Sequence, residues 1–341
     1  MVVWTFNPGY EPSVKLGTAS YTPPMNVQRF RSDCATLPLY LADPDDQVLL
    51  PEPLPPELDH PSFCTAVGDR TLSPWGWAPE LSRYGELPYT LEEMRHLASR
   101  ERSVELWQAV HDAGGTLFES GAMAPRIVTS HADLPLPPFV LKELYSSSGR
   151  GISFITTAQT RLPSGSAPRV LEPMLDIVED LGIEFERPAD GAVRFLGLSR
   201  MQNTSGRYAG NRLNARSTPH PLIDEYVALL LDVLGDFDLG HYRGPLGVDT
   251  AIYRGNDGKR YLWPVVEINV RPTMGHLALA LEQRYPQAQW FEIRYLADRK
   301  HLPDPVSPLP LYLRGDTDLR PGYHLLTPLL PTTHFVALLR V

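Results

Sequence analysis

The 341-residue chain has little cysteine: only Cys34 and Cys64, which lie far apart and match no metal-binding spacing. We therefore expect two buried or half-buried thiols in a reducing compartment. The sequence also lacks the run of about 20 apolar residues that a membrane helix needs. Its first residues lack the basic segment and long apolar run of a signal peptide. These absences predict a cytoplasmic protein with no membrane partner.

Positive charge is also sparse. The 31 Lys and Arg residues are outnumbered by 40 Asp and Glu residues, which gives a formal net charge of -9. The basic residues are scattered and form no run. A nucleic-acid binder needs a basic footprint, and anionic lipid attracts clusters of Lys and Arg. We therefore exclude nucleic acid and membrane from the predicted partners.

Several catalytic motifs are missing as well. The sequence has no G-x-S-x-G nucleophile motif and no H-E-x-x-H zinc motif. Its histidines are scattered and indicate no triad; only His276 lies beside a candidate site. These absences argue against serine hydrolases and zinc peptidases.

The composition that remains is that of a folded protein. Hydrophobic residues make up 43% of the chain, and the 35 prolines are about twice the average share. The length allows two or three domains. Thr90 and Glu93 predict a capped helix start, and Gly114 and Gly115 predict the end of a second helix. Strands mixed with inserted helices predict an α+β (mixed α/β) fold with mostly antiparallel sheets.

The first candidate site lies on a predicted β-hairpin over residues 247–270, with its turn at Asn256-Asp257-Gly258. Pro264 removes one backbone N–H from the ladder, so we expect a bulge at Trp263-Pro264. Such a bulge would shift the register until Asp249 and Glu267 face each other.

Side chains alternate across a strand, so Glu267, Asn269 and Arg271 are predicted to share one face. Two carboxylates and an amide oxygen suit Mg²⁺, and the guanidinium of Arg271 suits phosphate or carboxylate. The alternative is a solvated sheet face with an ordinary ion pair. Apolar residues on both sides of Glu267 favour the functional interpretation, because a buried acid must be paired, metal-bound or protonated.

A second candidate combines an interior lysine with a loop of small residues. Lys142 lies in an apolar strand, where a lysine is costly without a partner. Such a loop can turn its backbone N–H groups toward an anion. The loop residues are Ser146, Ser147, Ser148, Gly149 and Gly151. A flexible hairpin loop is an equally good interpretation of this segment alone, and no Walker A pattern is present.

The third and fourth candidates are a hinge and a basic strand end. Glu172 ends an apolar run, Asp176 and Glu179 follow, and free backbone groups between them suit an adenine edge. The hinge residues are Pro173, Met174 and Leu175. Arg200 ends a further strand before a Gly/Ser loop. Alone, the hinge would be interpreted as an acidic surface turn.

In this order, the segments "FVLKELYSSSGRGI", "VLEPML" and "GVDTAIY…VVEINVRPTMG" resemble the ATP-grasp superfamily, over about residues 95–285. The resemblance implies an ATP-grasp fold in which two α+β subdomains clasp ATP. The boundaries it suggests are an N-terminal pre-ATP-grasp-like α/β domain at 1–92, an ATP-grasp domain at 93–300 (lid subdomain 93–168, metal subdomain 169–300), and a Pro-rich segment with a closing strand at 301–341.

The resemblance also implies a role for each candidate residue. Lys142 would contact the α- and β-phosphates, and the 146–151 loop would cover the phosphate tail. Glu172 would lie at adenine, with Asp176 or Glu179 at the ribose. The implied Mg²⁺ ligands are Asp249, Glu267 and Asn269. Arg271 would stabilise the transferred phosphoryl group or an acyl-phosphate, and Arg200 would reach the triphosphate.

The chain departs from the family pattern at two positions. The family has a further nucleotide-contacting lysine earlier in the fold, for which Arg126 is the candidate replacement. Where some relatives carry an arginine that meets the substrate, this chain has Gly247. Both departures concern the placement of substrate more than the binding of nucleotide.

The function implied is an ATP- and Mg²⁺-dependent carboxylate–amine ligase, with Mn²⁺ as an acceptable substitute, that forms an amide or peptide bond through an acyl-phosphate. Its partners would be small-molecule or peptide carboxylates and amines, and a homodimer is compatible with the sequence. Two alternatives stay open: a small-molecule kinase of the same fold, and a nucleotide-binding regulator without turnover.

Overall fold

A computed structural model of the chain describes residues 1–118, 121–146, 149–158, 167–204, 207–214, 221–296 and 302–341. In chain order, the strands are β1 (Val2–Thr5), β2 (Gln47–Leu49), β3 (Phe63–Cys64), β4 (Thr71–Pro74), β5 (Arg126–Val128), β6 (Phe139–Glu143), β7 (Ile152–Ile155), β8 (Arg169–Pro173), β9 (Asp176–Arg187), β10 (Arg194–Thr204), β11 (Arg207–Arg212), β12 (Gly244–Arg254), β13 (Arg260–Asn269), β14 (Trp290–Tyr295), β15 (Tyr323–Leu325) and β16 (Phe335–Arg340). The α-helices are α1 (Glu11–Leu16), α2 (Met25–Asp33), α3 (Leu91–Ala98), α4 (Glu101–Gly114), α5 (Ile223–Asp236), α6 (Met274–Arg284) and α7 (Leu311–Arg314).

The chain forms two compact units. The first comprises Met1–Pro88, Ser199–Arg216 and Arg271–Val341, and the second comprises Tyr89–Leu198 and Ser217–Val270. This division differs from the consecutive segments predicted from the sequence, 1–92, 93–300 and 301–341. The difference has a physical reason: strand pairing joins distant stretches, as when β14 pairs with β16 in the first unit.

The first unit contains a parallel sheet in the order β3-β2-β1-β4. It also contains an antiparallel ladder of β11, β14, β16 and β15. Its core includes the fully buried Trp75, Tyr285 and Phe291. Cys34 is buried in the same core, where burial raises the pKa of its thiol well above the ordinary value, and Cys64 is half-buried. Both thiols are free, as predicted.

The second unit contains two antiparallel sheets. Strands β5, β8, β6 and β7 form one in that order, and its buried core includes Phe139, Leu141 and Leu171. Strands β9, β12 and β13 pair side by side in the other. The predicted capping box is confirmed: Thr90 and Glu93 exchange hydrogen bonds at the start of α3. Among the described helices, none has the length and apolar character needed to cross a bilayer.

The predicted hairpin is confirmed as β12 and β13, joined by a turn in which Gly258 has a φ of 78°. Ala251 pairs with Trp263, but Asp249 pairs with Glu267. If the register of the Ala251–Trp263 pair continued unchanged along the strands, Val265 would lie opposite Asp249. The predicted bulge at Pro264 is therefore confirmed.

Buried hydroxyl groups stabilise this bulge. The Thr250 Oγ1 lies 2.7 Å from both the Trp263 and Pro264 carbonyl oxygens. The Tyr226 hydroxyl donates to the same Pro264 carbonyl, and burial raises the pKa of Tyr226, so the phenol keeps its proton. Thr250 and Tyr226 are fully buried. Their hydroxyl groups therefore take the place of water as donors to these carbonyl oxygens.

Replacing Thr250 with valine tests the role of the hydroxyl, because valine keeps the shape and removes the donor. We expect Thr250→Val to lower the free energy of unfolding by about 1–3 kcal/mol, measured by urea denaturation. Thr250→Ser keeps the donor and is expected to lose less. A loss in Thr250→Ser that exceeds the loss in Thr250→Val would mean that packing of the methyl group, not the hydrogen bond, stabilises the bulge.

Candidate active site

A polar face lies on the β12–β13 hairpin. Asp249 is directly opposite Glu267, and Gly247 is directly opposite Asn269. Residues directly opposite in a ladder point to the same side of the sheet, so these side chains share one face. The Asn269 amide donates to Asp249 Oδ2 at 3.3 Å. The hairpin thus brings together the three residues that the sequence suggested as metal ligands.

Strand β9 adds a residue to this face that the sequence did not indicate. Glu184 pairs with Gly247, and only 1% of its surface is exposed. Gly182 pairs with Asp249. Two buried glycines, Gly182 and Gly247, therefore alternate with the acids on the β9 and β12 strands.

An interior ion pair lies in the neighbouring sheet of the same unit. Lys142 on β6 and Glu172 on β8 are 6% and 8% exposed, and Lys142 Nζ lies 2.7 Å from Glu172 Oε2. Lys142 Nζ also donates to the Val266 carbonyl oxygen at 3.4 Å. The Val266 carbonyl belongs to β13, one residue before Glu267. The lysine predicted to bind phosphate is therefore positioned beside the hairpin.

Arg100 is the cation that the sequence analysis missed. Its side chain is 3% exposed. The Nε atom lies 3.0 Å from Glu267 Oε1, and Nη2 donates to Glu267 Oε2 at 3.3 Å. The Nη1 group donates to the Glu143 carbonyl oxygen at 2.8 Å and to the Ser146 hydroxyl. One guanidinium thus contacts both the hairpin and the start of the small-residue loop.

A signal for Arg100 exists in the sequence. It is the N-cap residue of α4, where Ser, Thr, Asp or Asn is preferred and a positive side chain opposes the helix dipole. An arginine at that position needs a carboxylate partner. The partner, Glu267, is 167 residues away, so the pattern alone could not identify it.

The small-residue loop begins at a buried serine. The Ser146 hydroxyl donates to the Arg150 carbonyl oxygen at 2.6 Å. Gly149 and Gly151 have φ values of 73° and 65°, a conformation that favours glycine. A Cβ on Gly151 would lie 2.8 Å from Ser146 Oγ. Ser147 and Ser148 fall outside the described residues.

The hinge connects the two sheets of the second unit. Pro173 ends β8, Asp176 begins β9, and Met174 and Leu175 form the connection. Asp176 is exposed and lies 3.8 Å from Arg254 in a surface ion pair, while Glu179 pairs with Ile252 in the ladder. Contact of this hinge with a nucleotide stays a prediction.

Arg271 does not continue the strand as predicted. Strand β13 ends at Asn269, and the chain bends before Pro272, which cannot donate to a ladder. Arg271 belongs to the first unit, where its Nε lies 3.9 Å from Glu11 Oε1 and its Nη1 donates to the Pro272 carbonyl at 3.0 Å. Its predicted catalytic role stays a prediction.

Three other basic or imidazole residues have local partners. His276 forms a capping box with Thr273 at the start of α6, which begins at Met274. Arg200 lies on β10 opposite Arg212 in the first unit. Arg126 on β5 is exposed and donates to the Asp133 carbonyl oxygen at 3.1 Å. The predicted nucleotide contacts of Arg200 and Arg126 stay predictions.

Asp249, Glu267 and Asn269 offer two carboxylates and one amide oxygen to a metal ion. Among the described residues, no group of three His, Cys, Asp or Glu side chains could hold a metal ion. Asp249 and Glu267 are two facing carboxylates, with the Asn269 amide beside them. Mg²⁺ commonly takes one or two carboxylates and completes its octahedron with water and phosphate oxygens. The set fits Mg²⁺ bound together with phosphate, and it is too small for a metal held by protein alone.

No model of a known protein family and no curated protein sequence matches the chain. Solved structures do match it. A protein from Archaeoglobus fulgidus, described as a member of the ATP-grasp superfamily, is 13% identical, with 90% of this chain and 95% of that chain covered and a TM-score of 0.49. N5-carboxyaminoimidazole synthetase from Staphylococcus aureus, complexed with ADP, is 14% identical, with 82% and 77% covered and a TM-score of 0.45.

A biotin carboxylase from Campylobacter jejuni, in its β-γ-ATP complex, is 11% identical, with 79% and 70% covered and a TM-score of 0.48. The mixed α and β fold class is confirmed by the structure itself. Membership of the ATP-grasp superfamily stays a prediction from the sequence motifs. The function proposed below rests on the geometry of the site.

The Lys142–Glu172 pair gives a prediction about stability. Removing one member leaves the other buried and uncompensated, so we expect Lys142→Met to lower the free energy of unfolding by about 3–5 kcal/mol. The control is Lys259→Met, whose partner Asp257 is exposed, and we expect about 0–1 kcal/mol there. Urea denaturation measures both. A loss for Lys142→Met no larger than the control would show that the pair is solvated.

Proposed function

We propose that the chain is an ATP- and Mg²⁺-dependent carboxylate–amine ligase of the ATP-grasp type. One observation supports this most strongly: a single unit places a buried Lys142–Glu172 pair next to a hairpin on which Asp249 faces Glu267. Cations and carboxylates side by side at a strand end are the groups that a magnesium–triphosphate needs.

The nucleotide would be bound by the second unit. Lys142 would contact the α- and β-phosphates as a point charge, and Ser146 with Gly149 and Gly151 would present backbone N–H groups to the phosphate tail. Because Glu172 pairs with Lys142, we propose that its carboxylate orients the lysine. The backbone from Pro173 to Leu175 would then meet the adenine edge, with Asp176 or Glu179 at the ribose.

Asp249, Glu267 and Asn269 would hold Mg²⁺, which neutralises phosphate charge during phosphoryl transfer. The residues themselves supply position and charge, not a nucleophile. Lys142 and the N–H groups of Gly149 and Gly151 would stabilise the negative charge of the phosphate oxygens, and fixed donors of this kind lower the barrier.

The reaction proceeds in two displacements. A substrate carboxylate oxygen attacks the γ-phosphorus, which forms an acyl-phosphate and releases ADP. An amine nitrogen then attacks the acyl carbon, which forms the amide, expels inorganic phosphate and loses a proton. The acid and amine would be small molecules or peptides, because the scattered Lys and Arg residues and the net charge of -9 do not favour a nucleic-acid substrate.

A screen of ADP release against pairs of acids and amines tests the proposal. The probes are amino acids and short peptides, with mass detection of a condensed product. A ligase releases ADP and phosphate only when acid and amine are both present. A phosphorylated product from one substrate alone would indicate a kinase, and binding without any turnover would indicate a regulator.

Once a substrate pair is found, we expect Glu267→Gln to lower kcat by about 100-fold or more, because the substitution removes a charge from the metal-binding set while keeping its shape. The matched control is Asp257→Asn in the exposed turn of the same hairpin, which should leave kcat unchanged. Steady-state ADP release measures both variants. An unchanged kcat in Glu267→Gln would contradict the assigned role of the hairpin.

A further inference from the structure

Both oxygens of Glu267 are occupied by one guanidinium. Arg100 Nε lies 3.0 Å from Oε1, and Nη2 donates to Oε2 at 3.3 Å. Only the Nη2 contact is a hydrogen bond, and the Nε contact is an ion pair without hydrogen-bond geometry. The carboxylate that would bind Mg²⁺ is therefore already neutralised by a buried protein cation.

The same guanidinium contacts Glu143 at the end of β6 and Ser146 at the start of the small-residue loop. Nη1 donates to the Glu143 carbonyl oxygen and to the Ser146 hydroxyl. The Arg100 backbone N–H also donates to the Leu144 carbonyl oxygen at 3.0 Å. Glu143 is adjacent to Lys142 on β6. Arg100 therefore contacts the Glu267 carboxylate, the strand that carries Lys142, and Ser146 at the start of the loop.

A divalent cation and a guanidinium cannot both lie against the same two oxygens without repulsion. At about 4 Å, two like charges repel by about 4 kcal/mol per unit charge product near a protein surface. Metal binding at Glu267 must therefore displace Arg100 or be weakened by it. A phosphate group arriving with the metal offers the displaced guanidinium a new bidentate partner.

We propose that Arg100 is a placeholder cation: without nucleotide it occupies the Glu267 carboxylate, and when nucleotide and metal arrive together it transfers its contacts to phosphate. This inference rests on the proposed function. Metal alone binds weakly because it competes with Arg100, whereas metal and nucleotide bind cooperatively.

The proposal predicts opposite effects of one substitution. Arg100→Gln removes the competing charge, so Mn²⁺ alone should bind about tenfold more tightly than in the wild type. The same change removes a phosphate partner, so a non-hydrolysable ATP analogue should bind about tenfold more weakly. A merely structural role would weaken both. Mn²⁺ binding is followed by electron paramagnetic resonance without nucleotide, and analogue binding by calorimetry.

Two further variants keep the test interpretable. Arg260→Gln removes the same charge from an exposed position on β13, and it should leave Mn²⁺ binding unchanged. Arg100→Lys keeps the positive charge but lacks the planar guanidinium. Its affinity for Mn²⁺ should lie between the affinities of the wild type and of Arg100→Gln. If Arg100→Gln does not fold, as judged by thermal unfolding, Arg100→Lys carries the test.

Unchanged or weaker Mn²⁺ binding in the Arg100 variants would overturn the placeholder role. Failure of the proposed function gives a different result: no variant, nor the wild type, would bind the ATP analogue. The Mn²⁺ comparison needs no nucleotide and no substrate, so the two failures are distinguishable.

Discussion

The site depends on one register shift in the β12–β13 hairpin. Pro264 cannot donate to the ladder, and its carbonyl accepts from the buried Thr250 and Tyr226 hydroxyls. The shift replaces Val265 with Glu267 as the residue opposite Asp249. Without it, the two carboxylates would be offset along the strands. A local backbone irregularity thus determines the chemistry of the face.

Charge compensation is the second constraint. Within one unit, Lys142 neutralises Glu172 and Arg100 neutralises Glu267. Burying an uncompensated charge is costly, so each of these two carboxylates has a cationic partner within the unit. If the proposed function holds, a nucleotide and a metal ion would have to exchange these partners, and that exchange would favour their joint binding.

Parts of this arrangement could be predicted from the sequence because their causes are local. The capping box at Thr90 and Glu93 lies within four residues, and Pro264 marks the bulge by lacking an N–H. Other features depend on distant contacts. Arg100 meets Glu267 only after the fold is complete, and Glu184 reaches the polar face only through the β9–β12 register. The alternation of polar and apolar residues continues to Arg271 and predicted that Arg271 shares the strand face. The strand instead ends at Asn269, because the backbone bends before Arg271 is reached.

The proposed function requires the second unit to bind a nucleotide through a divalent cation. Calorimetric titration of the wild-type chain with a non-hydrolysable ATP analogue, in Mg²⁺ and again in a chelator, tests it most directly. We expect saturable binding of one analogue per chain in Mg²⁺. In the chelator, we expect a large loss of affinity for the analogue. Absence of binding, or equal binding with and without the cation, would contradict it.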